Sequence, residues 1–175
     1  MEENRILKVA ILGAESTGKT TLCKDLANHF DTVWVPEYAR EYLANLNRNH
    51  TLEDLMEISK QQLIYQRNAL DKANKLLFVD TEMIILKVWC DDKFKTCPDF
   101  ISNELKQQKF DIYLIMANDI AWEYDPLREN PDRRDYLFDI YIKELERINA
   151  NYRIIGGLGE DRLNNAVKAI EENCF

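Results

Sequence analysis

Residues 6–30 confine this chain to a narrow set of folds. Ile6-Leu-Lys-Val-Ala-Ile-Leu12 is short, apolar and rich in β-branched residues, the pattern of a strand buried in a parallel sheet. From Thr21 to Phe30, Leu22, Leu26 and Phe30 recur at helical spacing. Between the two stands Gly13-Ala-Glu-Ser-Thr-Gly-Lys-Thr20, which reads G-x-x-x-x-G-K-T. That spacing belongs to a phosphate-binding loop, and the strand before it and helix after it are the context the motif requires.

The chemistry follows from the backbone. Gly13 and Gly18 carry no Cβ, so the chain can curl closely around an anion. Successive N–H groups then converge as a nest at a helix N-terminus. Lys19 is expected to reach the β- and γ-phosphates of a nucleotide, and the Thr20 hydroxyl to ligate Mg²⁺.

The chain has 175 residues, the length of one domain (1–175) with room for a real core. Its net charge of −8 argues against nonspecific binding to nucleic acid or an anionic membrane. There is no apolar run of membrane-spanning length and no signal peptide at Met-Glu-Glu-Asn-Arg, so a cytoplasmic location is expected. The four cysteines, at 23, 90, 97 and 174, form no C-x-x-C; Cys23 reads as a small buried thiol.

Further strands are expected at Thr32–Val35, Leu76–Val79, Phe110–Met116 and Tyr152–Ile155, each followed by a helical pattern. Thr51-Leu-Glu-Asp54 reads as a capping box opening a long helix that runs towards Leu70, with its Gln, Lys and Asn residues on a solvated face. Residues 117–134 lack a clear period and read as a mobile connection, with the lid at approximately 118–135. The alternation gives the fold class: α/β, a five-stranded parallel sheet with helices on both faces and right-handed crossovers.

In such a sheet ligands sit beyond the carboxyl ends of the strands, which selects candidates. Asp80 follows four apolar residues and is expected to hold Mg²⁺ beside Thr20, the alternative being a helix cap. Glu37 follows the second strand, with Arg40 one turn on. Glu37 could accept the proton of an attacking hydroxyl or hold sugar hydroxyls, or the two could form a surface pair. Arg128, Arg133 and Arg134 fall in the lid, where they would neutralise a transferring phosphoryl group. Trp34, Tyr38, Tyr42, Trp89, Trp122 and Tyr124 are frequent near the acceptor side; most are expected in the core and at most two or three to line a site, Trp89 and Trp122 among them.

Gly-Ala-Glu-Ser-Thr-Gly-Lys-Thr, Val-Pro-Glu-Tyr-Ala-Arg-Glu-Tyr and Phe-Val-Asp-Thr-Glu, with the later Asn-Asp-Ile-Ala-Trp and an arginine-bearing lid, resemble the ribosylnicotinamide kinase domain of the bacterial NadR-type proteins. The resemblance covers nearly the whole chain, and Pro-Glu-Tyr-Ala-Arg-Glu is its most particular part. It implies a P-loop kinase that moves the γ-phosphoryl group of ATP to the 5′-hydroxyl of nicotinamide riboside, a small-molecule nucleoside. It implies that Gly13, Ser16, Thr17, Gly18, Lys19, Thr20 and Thr21 hold the ATP phosphates and Mg²⁺. Asp80 and Glu37 would then serve metal and acceptor, with Arg40 beside the acceptor, and Arg128, Arg133 and Arg134 the lid. The chain begins a few residues before the first strand, so the adenylyltransferase and DNA-binding domains of full NadR-type proteins are not expected. Its lid shows Asp-Pro-Leu-Arg where the family has Asp-Gly-x-Arg. A kinase of another nucleoside and a regulatory ATPase are the competing readings. The sequence leaves the oligomeric state open.

Overall fold

A computed structural model describes residues 5–175. Five strands, β1 (Leu7–Leu12), β2 (Val33–Val35), β3 (Leu76–Asp80), β4 (Ile112–Met116) and β5 (Tyr152–Ile155), form one parallel sheet in the order β2-β3-β1-β4-β5. The helices are α1 (Lys19–His29), α2 (Tyr38–Ala44), α3 (Leu52–Leu70), α4 (Met83–Trp89), α5 (Asp99–Gln107), α6 (Arg134–Arg147) and α7 (Glu160–Cys174). The expected fold class, a five-stranded parallel sheet with helices on both faces, is what the chain adopts.

The central strand explains the two layers. Along β1, Val9 and Ile11 point to one face, where they pack with Leu22 and Leu26 of α1 and Ile170 of α7. Ala10 and Leu12 point to the other, against Ile84 and Val88 of α4, Ile101 of α5 and Tyr141 of α6. Alternate side chains of one strand thus bury in opposite cores, which is why β1 reads as continuously apolar. Among the described residues no helix is long and apolar enough to cross a membrane.

Two local expectations change. Gln62 and Gln66 of α3 are buried rather than solvated. The Gln62 side chain accepts from the Tyr38 N–H (2.9 Å) and donates to the carbonyls of Pro36 (3.1 Å) and Asp80 (3.3 Å). It completes backbone groups that the sheet cannot pair at its edge, a role no helical period reveals. The helical pattern expected after Leu76–Val79 forms α4, which ends at Trp89 and widens into a π-helical turn, Cys90–Phe94. The capping box stands: the Asp54 N–H donates to Thr51 Oγ1 (3.4 Å) and the Asp54 carboxylate accepts from the Thr51 N–H (2.7 Å). Cys23 is buried, and burial pushes its thiol up.

Candidate active site

The tips of β1, β3 and β4 lie side by side at the centre of the sheet, and the site grows from them. Beyond β1 the chain curls through Gly13 (φ 150°), Ser16 (φ 57°) and Gly18 (φ 80°). A Cβ on Gly13 would stand 2.9 Å from the Met116 Cβ of β4, so glycine is required there by space as well as by φ. The Thr17 hydroxyl donates to the Ala14 carbonyl (2.8 Å), and Lys19 Nζ donates to the carbonyls of Gly13 (3.0 Å) and Ala14 (2.8 Å). No side chain caps α1, so its first N–H groups stay open to an anion.

Asp80 is fully buried at the end of β3, paired in register with Ile11. Its Oδ2 accepts from the Thr20 hydroxyl at 2.5 Å, while Oδ1 is buried without a partner. Burial pushes the Asp80 carboxyl above its usual range, against the pull of Lys19. An open carboxylate oxygen beside a threonine hydroxyl suits Mg²⁺, which takes one or two protein oxygens and leaves the rest to water and phosphate. Thr20 and Asp80 therefore fit that ion.

Glu37 precedes α2 and borders the same cavity as the loop. Desolvation, followed by the nearby Asp80 charge, lifts its carboxyl to about 7. It does not form a surface pair with Arg40: that guanidinium reaches across to Asp125 of the lid, at 2.7 Å. The cavity, taken with the open solvent at its mouth, spans about 990 Å³. Loop residues 13 and 15–21 line one end; Leu43, Ile85, Trp89, Leu137 and Tyr141 give the other an apolar, aromatic wall.

The connection over 117–133 is irregular, as its composition suggests, yet it is anchored rather than loose. Ser16 Oγ accepts from the Glu123 N–H (2.9 Å) and from Arg128 (3.3 Å). The Glu15 carboxylate accepts from the N–H groups of Glu129 (3.1 Å) and Asn130 (3.0 Å). Arg134 donates to the carbonyls of Ile120 (2.7 Å) and Ser16 (3.3 Å).

Of the residues singled out in the sequence, Gly13, Ser16, Thr17, Gly18, Lys19, Thr20, Thr21, Glu37, Arg40, Trp89 and Arg128 border this one cavity, with Asp80 directly behind Thr20. Two sit elsewhere. Arg133 holds Asp92 of the π-helical turn with both terminal nitrogens (2.8 and 2.7 Å), so its charge is already matched. The Trp122 ring lies under the Arg134 guanidinium, 5.9 Å away, and does not reach the acceptor wall. Other aromatics serve packing: Tyr38 packs on Tyr42 and Tyr65, and Tyr124 is exposed.

Sequence reasoning missed three participants. Glu15 looks like a variable loop position, and only the fold shows it latching the lid. Tyr141 hides within a helical apolar stripe. Arg162, almost fully buried, donates to the carbonyls of Thr17 (2.6 Å) and Gly157 (2.7 Å) and pairs with Asp119. It backs a second cavity bordered by Gly18, Thr21, Ile120 and Gly159. An arginine just after Gly-Gly-Leu-Gly at a strand tip was the available signal.

A glycine-lined anion loop, a buried acid on the neighbouring strand and an arginine-bearing lid define a P-loop protein of nucleoside- and nucleotide-kinase architecture. Residues 8–162 match the model of an AAA domain family, and the chain belongs to that family. It is 30% identical over 151 residues to the trifunctional NAD biosynthesis/regulator protein NadR of Escherichia coli (strain K12), covering 82% of this chain and 37% of that protein. The chain thus spans little more than a third of that relative's length. A solved NadR protein in complex with NR superposes with a TM-score of 0.82 at 22% identity, over 96% of this chain and 51% of the other. Thymidylate kinase from Ehrlichia chaffeensis gives 0.62 at 14% identity, over 95% and 97%. At these identities the structures establish the shared fold.

Proposed function

We propose that this chain is a kinase domain, lidded over 118–135, that transfers the γ-phosphoryl group of ATP to the 5′-hydroxyl of nicotinamide riboside and yields nicotinamide mononucleotide. The observation that carries this reading is one cavity bordered at once by the phosphate loop, the Glu37 carboxylate and Arg128. A second support is the likeness to NadR, whose name places that protein in NAD biosynthesis.

In this reading the adenosine end occupies the cavity beside Gly18, Ile120 and Arg162, and the phosphates run along residues 13–21. Thr20 and Asp80 would hold Mg²⁺, which would supply neutralising charge for the nucleotide phosphates. The acceptor lies against Trp89 and Tyr141 with its 5′-hydroxyl towards Glu37. Glu37 takes the hydroxyl proton, the oxygen bonds to the γ-phosphorus, the bond to the β-phosphate oxygen breaks, and ADP leaves. A carboxyl near 7 is well matched to that task at neutral pH. Asp80 does not border the acceptor cavity and keeps to the metal. Arg128, beside Ser16, is placed to meet the charge on the moving phosphoryl group. A pyridinium nucleoside suits an aromatic wall flanked by Glu37. A cytoplasmic location goes with this reading, since ATP is at hand there.

The test is mass analysis after incubation with Mg·ATP and, separately, nicotinamide riboside, thymidine, uridine and deoxyadenosine. The expected result is nicotinamide mononucleotide with matching ADP. Phosphorylation of another nucleoside alone would move the acceptor assignment, and ADP release indifferent to any nucleoside would make the chain a regulatory ATPase.

A further inference from the structure

Thr81, the residue between Asp80 and Glu82, is in a conformation that a β-branched side chain adopts at a cost. Its φ is 72°, in the left-handed region that favours glycine or asparagine. Such a residue persists only when its surroundings over-determine it. Here both neighbours are clamped. Asp80 is held by the sheet register with Ile11, by Thr20 and, at its carbonyl, by Gln62. Glu82 caps α4 by accepting from the Ile84 N–H at 2.9 Å, and also accepts from Gln108.

The strained residue is 1% exposed, and its Oγ1 is buried with no hydrogen-bond partner. Oγ1 lies near enough to Asp80 to help hold that carboxyl charged, without completing a hydrogen bond of good geometry. Thr81 as a residue borders the acceptor cavity. A buried hydroxyl left open costs free energy unless something completes it. A turn that needed only the positive φ would be cheaper with glycine.

We propose that Thr81 is a substrate-binding residue whose hydroxyl hydrogen-bonds a sugar hydroxyl of the acceptor nucleoside, the strained tip of β3 serving to aim it. The inference rests on the kinase reading of this site. The sugar is the part addressed because Thr81 follows Asp80, which the Thr20 hydroxyl bonds. The acceptor end nearest those groups carries the attacking hydroxyl, and the base lies farther along, against Trp89 and Tyr141. Geometry held in this way also helps orient the attacking oxygen.

The experiment compares Thr81→Val, which keeps the shape and the backbone preference but loses the hydroxyl, with Thr81→Ser, which keeps the hydroxyl. Initial rates are measured with the nucleoside varied at saturating Mg·ATP, and the reverse. Thr81→Val is expected to lower acceptor kcat/KM roughly 10- to 100-fold, as a lost buried hydrogen bond does, with the KM for ATP within about threefold of wild type. Thr81→Ser is expected to hold acceptor kcat/KM within about threefold. Acceptor kinetics of Thr81→Val equal to wild type, or an equal loss for both substrates that serine does not rescue, overturns the proposal. Should the valine variant fail to fold, Thr81→Ala against Thr81→Ser makes the same comparison. A wild-type chain that phosphorylates no nucleoside overturns the kinase reading and this inference together. Turnover in wild type with indifference at Thr81 removes this inference alone.

Discussion

Glu37 shows how far a residue's chemistry depends on what surrounds it. In the sequence it stands three positions before Arg40, and a surface pair is an obvious reading. In the fold Arg40 is drawn to Asp125, leaving Glu37 in a cavity where desolvation and Asp80 lift its carboxyl to about 7. A general base must be unprotonated, so acceptor kcat/KM should rise with pH through about 7 and then level. Glu37→Gln should lower acceptor kcat/KM by roughly 100-fold or more, abolish that rising limb and leave the KM for ATP nearly unchanged. A pH–rate series on both proteins checks this. Persistence of the same limb in the glutamine variant would assign it to another group.

At the scale of elements, the site is held by connections between strand tips. Gln62 of α3 is the clearest case, because one side chain satisfies backbone groups at Pro36, Tyr38 and Asp80. Gln62→Leu removes three hydrogen bonds and leaves those groups near the active site incomplete. Each such group costs about 1–3 kcal/mol, partly recovered by water at the half-buried Tyr38, so the expected loss is roughly 2–5 kcal/mol. Urea unfolding measures it, and a loss below about 1 kcal/mol would show that relaxation or water completes the same groups. The periodicity of α3 identified its helix, and Thr51 with Asp54 its capping box. It could not identify Gln62, because a glutamine on a helix looks solvated until the strand ends it serves are placed beside it.

At the scale of the whole molecule, the lid is joined to the sheet by contacts far apart in the chain. Arg40 holds Asp125, Glu15 holds the amides of Glu129 and Asn130, and Asp92 holds Arg133. Glu15 links the phosphate loop itself to the lid, so it should govern how often the lid opens. Glu15→Ala should speed trypsin cleavage at Arg128 and Arg133 by roughly 10-fold, with little change in Tm, since such a latch contributes about 1–2 kcal/mol to local rather than global opening. Limited proteolysis with hydrogen exchange at residues 129 and 130 reads this out. Unchanged exchange there would place the restraint in the arginine pairs.

Local chemistry was legible without the fold. The two glycines, Lys19 and Thr20 declare an anion loop because their spacing is itself the geometry, and the run ending in Asp80 declares a strand with an acid at its tip. Alternating apolar runs and helical periods were enough for a parallel α/β sheet, since each pattern reflects its own burial. Partners from 12 to 115 residues apart in the chain left no such trace. That Arg133 answers Asp92 rather than a phosphate, that Trp122 lies under Arg134, and that Glu15 holds the amides of Glu129 and Asn130 were decided by the order of strands and the docking of helices, which set which groups meet. Hydrophobic period is a property of one segment, whereas a hydrogen bond or ion pair belongs to two, and only tertiary structure brings the second within reach.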